Sequence, residues 1–342
     1  MSRPLAVILE STVEADCPEV EMIELRENSE EIGAALRALG YDADIVPFSF
    51  DTADIRRKLT KLKPSVVFNL VDSIEGKGNL ISLAPMLLAH LNLPYTGATA
   101  LATTISCDKL ITKQILRARG IRTAEWFTEQ QIDTGNIELE RPYILKSITE
   151  HASFGMFADS IVSNRAELKK RWLEKKHKYG TEWFAEEYIE GREFNLSVMA
   201  GKEEAMVLPP AEIVFTKDFP KNTPRIVDYA AKWYETSAEC IGTVRSFDFA
   251  DEDAPLLASL KETALTCWDA FGLTGYARVD YRIDERGVPY VLEVNCNPFL
   301  TANEGFGATA AKRGMAFTDV IRTIVADAYL RSNLSVPEEL AA

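Results

Sequence analysis

The segment "RVDYRIDERGVPYVLEVNCNP", residues 278–298, carries most of the information in the chain. Two runs alternate apolar and polar side chains on either side of Glu285-Arg286-Gly287. A period of two assigns Val279, Tyr281, Leu292 and Val294 to one face of a hairpin, and Arg278, Asp280, Glu293 and Asn295 to the other. Folding symmetrically about Arg286/Gly287 sets Asp280 opposite Glu293 and Arg278 opposite Asn295. Two carboxylates at that spacing repel unless a cation lies between them. Asp, Glu and Asn offer only oxygen, a hard-cation set suited to Mg²⁺ that shares its shell with phosphate oxygens. Arg278 beside them can clamp a phosphoryl group or a developing oxyanion. The same alternation fits the solvated face of an ordinary hairpin, and the hairpin alone leaves the two readings level.

The rest of the chain narrows the choice. Its 342 residues suffice for two or three domains with their own cores. Hydrophobic residues make up 46% and charged residues 26%, a soluble globular balance, and no apolar run approaches a membrane span. The start of the chain lacks a small-residue cleavage site, so no signal peptide is expected. Five scattered cysteines (Cys17, Cys107, Cys240, Cys267, Cys296) form no C-x-x-C pair. Neither a disulfide framework nor a zinc site is expected, and a reducing, cytoplasmic setting fits. The net charge of -14 argues against a nucleic-acid or anionic-membrane partner but permits a nucleotide held by a few lysines. There is no G-x-x-x-x-G-K-[ST] loop and no G-x-G-x-x-G after a strand.

Along the first third, strands are expected at 5–10, 42–48 and 65–71, with helices at 29–40, 52–62 and 81–92. That order implies a parallel sheet, whose carboxyl end opens into the loop 72–79. Beyond it come a helix at 106–121, a strand at 141–147, a glycine-bearing loop and strand at 153–163, and a basic helix at 166–180. Two strands flank Glu190-Gly191, and a broken strand covers 205–215. The segment 216–236 is polar and irregular, as functional lids often are. Helices at 255–273 and 307–332 flank the hairpin.

Six stretches, in this order, resemble the ATP-grasp enzymes and, within them, the D-alanine–D-alanine ligases. They are "VFNLVDSIEGKGNL" with "LPYTG", the D-K-x-x-x-K pattern at 108–113, "RPYILKSITEHASFGM", "EEYIEGREFNLSV", "DYAAKWYE", and "GYARVDYRID" followed by "YVLEVNCNP". The resemblance implies an α/β and α+β protein of the ATP-grasp fold. A parallel α/β domain (1–105) would precede two α+β units (106–190 and 191–342) that clamp ATP, with a lid at 216–236 and the metal hairpin at 278–298. It implies that Lys109 and Lys146 meet the ATP phosphates, although a surface position is the usual fate of a lysine. Residues 151–155, including Ser153, would form a backbone cradle over phosphate. Glu186, Glu187, Tyr188 and Ile189 would face adenine, Glu193 the ribose, and Lys232 the phosphates once the lid closes. Asp280, Glu293 and Asn295 would hold Mg²⁺. Arg278, with Ser153 and Lys232, would serve catalysis. The implied chemistry is an acyl phosphate formed from a carboxylate and ATP, then attacked by an amine. The partners would be small molecules, and the family is commonly homodimeric.

Departures from the family pattern cluster where substrates are expected. Asp72-Ser73 stands in place of a His-Gly pair, Trp233 in place of a lid tyrosine, and Ala152-Ser153 in place of a serine pair. Phe299 follows Pro298 where glycine is usual. Glu304 falls where a serine binds the second substrate's carboxylate; a carboxylate there should repel another and favour an amine or hydroxyl. Glu24 or Glu27 could hold the first substrate's amine. The expectation is a ligase of this type with a different acceptor. A genuine D-alanine–D-alanine ligase, a non-catalytic nucleotide-binding module and a phosphotransferase are the alternatives. His151 is expected at the surface or against substrate, and Cys296 in the core.

Overall fold

The structure is a computed structural model that describes residues 3–12, 19–135, 137 and 139–340; Cys17 lies outside them. Strands β1 (Leu5–Ser11), β2 (Asp42–Phe48) and β3 (Val66–Asn69) form a parallel sheet in the order β2-β1-β3. Ala6, Val7, Ile8 and Leu9 are all fully buried, as a strand covered on both faces requires. The first helix, Glu19–Ala38, starts ten residues before the apolar spacing that signals it. Its early turns bury polar Asn28 and Ser29 instead, and Ser29 Oγ donates to Glu10 Oε2 at 2.6 Å.

The second sheet is antiparallel: β4 (Trp126–Phe127), β5 (Tyr143–Ser147), β6 (Ile161–Val162) and β7 (Trp183–Glu187) in the order β4-β7-β5-β6. Leu168 and Trp172 of the helix Arg165–Tyr179 pack on Tyr143, Leu145 and Trp183. The single helix expected at 106–121 is two, Ala100–Cys107 and Lys109–Ala118. Asp108 between them is extended, and its carboxylate accepts from the N–H groups of Leu110 and Ile111, both at 2.9 Å. This N-cap restarts the helix with Lys109 at its first position.

The third sheet contains β8 (Arg192–Met199), β9 (Met206–Val207), β10 (Ala211–Phe215), β11 (Thr243–Ser246), β12 (Tyr276–Ile283) and β13 (Pro289–Asn295). Its path is β11-β10-β8-β12-β13, with β9 paired to β8. One face packs Phe194, Leu196, Val198, Tyr281 and Val294 against Leu260, Ala264 and Cys267 of the helix Ala254–Phe271. Cys296 joins that core. The helix expected at 307–332 is divided into Gly305–Lys312 and Phe317–Arg331, with Gly314 in the left-handed region at φ +86° between them. Phe317–Arg331 returns to the first domain, where Ile321, Ile324 and Val325 share a core with Ile8 and Leu36. The third sheet's other face meets the loop that follows β5.

Candidate active site

The hairpin register is the one its turn predicts: Asp280 pairs with Glu293 and Arg278 with Asn295. Asp284 builds the turn by accepting from the N–H groups of Arg286 (3.0 Å) and Val288 (2.8 Å), and Gly287 takes φ +77°. One assignment needs correction. The register shifts beside Asp280/Tyr281, so Tyr281 faces Val291 and not Leu292. Val291 fills the core and Leu292 is only half-buried, because a bulge inserts one residue and re-aims the strand.

On the polar face, Arg278 grips Asp280 with two parallel bonds, Nε to Oδ1 (2.7 Å) and Nη2 to Oδ2 (2.8 Å). Asn195 Nδ2 from neighbouring β8 donates to the same Asp280 Oδ1 at 2.8 Å. Glu293 Oε1 lies 2.9 Å from His151 Nδ1, so this loop histidine reaches the hairpin. Asn295 Oδ1 accepts from the Asn297 N–H at 2.9 Å, and Asn297 Nδ2 donates to Val71 O at 3.0 Å, tying the hairpin to the end of the parallel sheet. Burial alone would raise the Glu293 pKa, but Lys109, His151 and Arg278 outweigh it and hold the carboxyl well below its usual range. Burial likewise opposes the charge on Arg278, yet Asp280 and Glu293 keep its pKa raised.

Across the cleft, Glu186 on β7 sits between two lysines. Lys146 Nζ is 2.5 Å from Oε1 and Lys113 Nζ is 2.7 Å from Oε2. Burial pushes the Glu186 carboxyl up, but the two ammonium groups bring it down to about 2. Lys113 is wholly buried and also donates to Thr123 Oγ1 at 2.9 Å. Burial lowers its pKa. Sequence reasoning passed it over, although it is the last residue of the D-K-x-x-x-K pattern, one helical turn beyond Lys109. Lys109 itself is buried, and its Nζ donates to Glu150 O at 2.7 Å. Glu187, next along the strand, points the opposite way and pairs with Arg141. The N–H groups of Glu187 and Tyr188 are bonded to Glu125 O (2.7 Å) and Pro142 O (2.9 Å). Ile189 is buried. Glu193 is paired with the buried Arg282 at 2.7 Å, a partner the sequence did not indicate.

The loop 150–156 runs through three left-handed positions, Ala152 (φ +59°), Ser153 (+60°) and Gly155 (+62°). Ser153 Oγ donates to Val227 O (2.7 Å), Trp233 Nε1 to Ala152 O (3.1 Å) and the Tyr229 N–H to Met156 O (2.9 Å), so the segment holding Lys232 is closed onto the loop. Lys232 is exposed. Desolvation lowers its pKa, Arg278 adds to this, and Glu293, Glu24 and Asp280 pull the other way. Glu24 is thus near Lys232, whereas Glu27 is exposed.

Asp72 Oδ1 accepts from Ser11 Oγ at 2.7 Å at the end of the parallel sheet. Gly78 of the same loop donates to Glu150 Oε2 at 3.1 Å. Phe299 is half-buried. Arg245, unremarked in the sequence, pairs with Glu304 at 3.3 Å and donates to Asn303 O at 3.2 Å. A Cβ on Gly305 would stand 3.8 Å from Arg278 Nη1 and 4.0 Å from Arg245 Nη2, so two guanidinium groups converge beside that residue. Arg245 is thus a counter-ion beside a Glu304 carboxylate that stays largely exposed.

A parallel domain joined to two α+β units that face each other across lysines and a carboxylate-bearing hairpin is the architecture of the ATP-grasp ligases. The family model described as D-ala D-ala ligase C-terminus matches residues 115–326. The D-alanine–D-alanine ligase of Moorella thermoacetica is 30% identical over 86% of this chain and 91% of its own length. That of Carboxydothermus hydrogenoformans is 32% identical over 78% and 82%. The solved D-alanine–D-alanine ligase of Bacillus anthracis shares the fold with a TM-score of 0.71 at 23% identity, over 96% of this chain and 99% of that one. The chain belongs to the D-alanine–D-alanine ligase family, and it is a ligase that forms C–N bonds.

Proposed function

We infer that this ligase uses ATP to join a small carboxylate to an amine through an acyl phosphate, with a substrate pair other than two D-alanines. The observation that carries the reading is the convergence of Arg278, Asp280 and Glu293 with Lys232 and the loop 150–156 on one cleft. The donor set fits Mg²⁺ held jointly by protein and nucleotide. It has two carboxylates and an amide oxygen, and among the described residues no three His, Cys, Asp or Glu make a self-contained cage. When bound, Mg²⁺ would neutralise phosphate charge.

The donor carboxylate oxygen attacks the γ-phosphorus, the bond to the β-phosphate oxygen breaks, and ADP leaves. The amine then attacks the acyl carbon, and inorganic phosphate departs from the tetrahedral adduct, taking up the proton that the amine loses. Arg278 Nη1, the edge not used by Asp280, stabilises the oxyanion. Lys109, Lys146 and Lys232 balance phosphate charge. The lid, latched to the loop through Ser153 and Trp233, excludes water.

The substituted positions Asp72, Phe299 and the Arg245–Glu304 pair support a changed acceptor. Phosphate release should be measured with Mg²⁺-ATP over a matrix of amino acids and amines. Full turnover on D-alanine alone would overturn the changed-acceptor reading. The free thiols Cys107, Cys240, Cys267 and Cys296 support a reducing, cytoplasmic location.

A further inference from the structure

Lys175 is a buried cation that the chemistry above does not use. It lies on the helix Arg165–Tyr179, with 7% of its side chain exposed. Its Nζ donates to Gly155 O at 2.7 Å. Its other neighbours are Asp159, 3.9 Å away, and the Trp183 ring, with its centroid at 5.2 Å. Desolvation is the leading influence on it and lowers its pKa. A lysine seldom accepts such a position unless it is paired, and here its nearest partner is a neutral carbonyl.

That carbonyl belongs to the loop 150–156. Gly155 is left-handed, and a Cβ there would come within 2.8 Å of Trp183 and 3.0 Å of Tyr179. Phe154 sits edge-on to Tyr179 with centroids 5.1 Å apart and stacks on Trp183 at 6.5 Å. Aromatic contacts thus fix where the loop is anchored, and within it the Phe154 N–H donates to His151 O at 3.1 Å and the Met156 N–H to Ser153 O at 2.9 Å. The bond from Lys175 is directional, and together with the Met156 N–H bond it holds the peptide after Gly155 at both its carbonyl and its N–H.

We propose that Lys175 is a positioning residue that holds the loop 150–156 in the form that receives the triphosphate. The inference rests on the reading of that loop as the phosphate loop. A purely structural lysine predicts otherwise: its removal leaves the Gly155 carbonyl without its donor and lowers Tm, but leaves binding alone. The test is calorimetric binding of Mg²⁺-ATP and of adenosine to wild type and to K175M. We expect K175M to fold with a lower Tm, to bind ATP about tenfold more weakly, which is 1.4 kcal/mol, and to bind adenosine as wild type does. K175R, which keeps the charge and the donors, should recover part of the loss. Equal ATP affinity in wild type and K175M overturns the inference, as does an equal loss for adenosine. Should K175M not fold, K175Q takes its place under the same criteria. Failure of the wild-type protein to bind ATP would instead overturn the functional reading on which the inference depends.

Discussion

Replacing Glu186 by glutamine should separate the electrostatics of the cleft from its shape. The amide keeps the volume and removes the charge between Lys113 and Lys146, which stand 2.7 and 2.5 Å from the carboxylate. The Glu186 pKa falls from 4.5 to about 2, because the two lysines overcome the effect of burial. A carboxyl held that far below its ordinary range corresponds to about 3 kcal/mol. Breaking a buried pair from one side costs a similar ~3–5 kcal/mol. The folded pKa lies below the unfolded one, so this stabilisation is complete above pH 4.5 and is lost as pH falls toward 2. Urea unfolding of wild type and E186Q at a series of pH values measures it. E186Q should be less stable by about 3 kcal/mol at pH 7, and the gap should close between pH 4.5 and 2. A variant as stable as wild type at pH 7, or a gap that does not change with acid, would refute the reasoning.

Other substitutions address chemistry and loop contacts. R278K keeps the charge but not the fork that grips Asp280; turnover should fall about a hundred- to thousandfold with Tm and ATP affinity little changed. Wild-type rates in R278K would remove Arg278 from the transition state. In G78A the new Cβ would meet Thr149 O at 2.4 Å, so the two loops must part. A loss of about 1–3 kcal/mol in thermal stability is expected, and an unchanged Tm would show that the loops already move apart freely. R245A leaves Glu304 without its counter-ion. KM for acceptors that carry a carboxylate should rise about tenfold, as one lost charge contact predicts, while E304Q should shift KM the other way. No change in either variant would place the acceptor elsewhere.

Much of the site could be read from local pattern. Alternation and a glycine turn are enough to pair Asp280 with Glu293, because strand register follows from turn length. The bulge at Leu292 was not legible, since alternation carries no mark of an inserted residue. Asp108 did carry the signal of a helix start, an N-cap aspartate, but it stood inside a longer helical periodicity that masked it. Lys113 was overlooked because a charged residue on a helix is usually solvated, and only the fold buries it against Glu186 from a different segment. Arg282 and Arg245 were missed for the same reason: each is a lone arginine on a strand whose partner, Glu193 or Glu304, lies far away in sequence. His151 shows the converse, a loop residue whose partner Glu293 is 142 positions away.

The central claim is that an acyl phosphate forms between Arg278, the Asp280–Glu293 pair and the loop 150–156. Hydroxylamine intercepts such an intermediate whatever the natural amine is. The protein would be incubated with Mg²⁺-ATP, hydroxylamine and sets of D- and L-amino acids, dipeptides and simple carboxylates, and the products read by mass spectrometry. The account predicts an ATP-dependent hydroxamate from one class of carboxylate, absent in R278K. No hydroxamate from any set, from protein that demonstrably binds ATP, would contradict it.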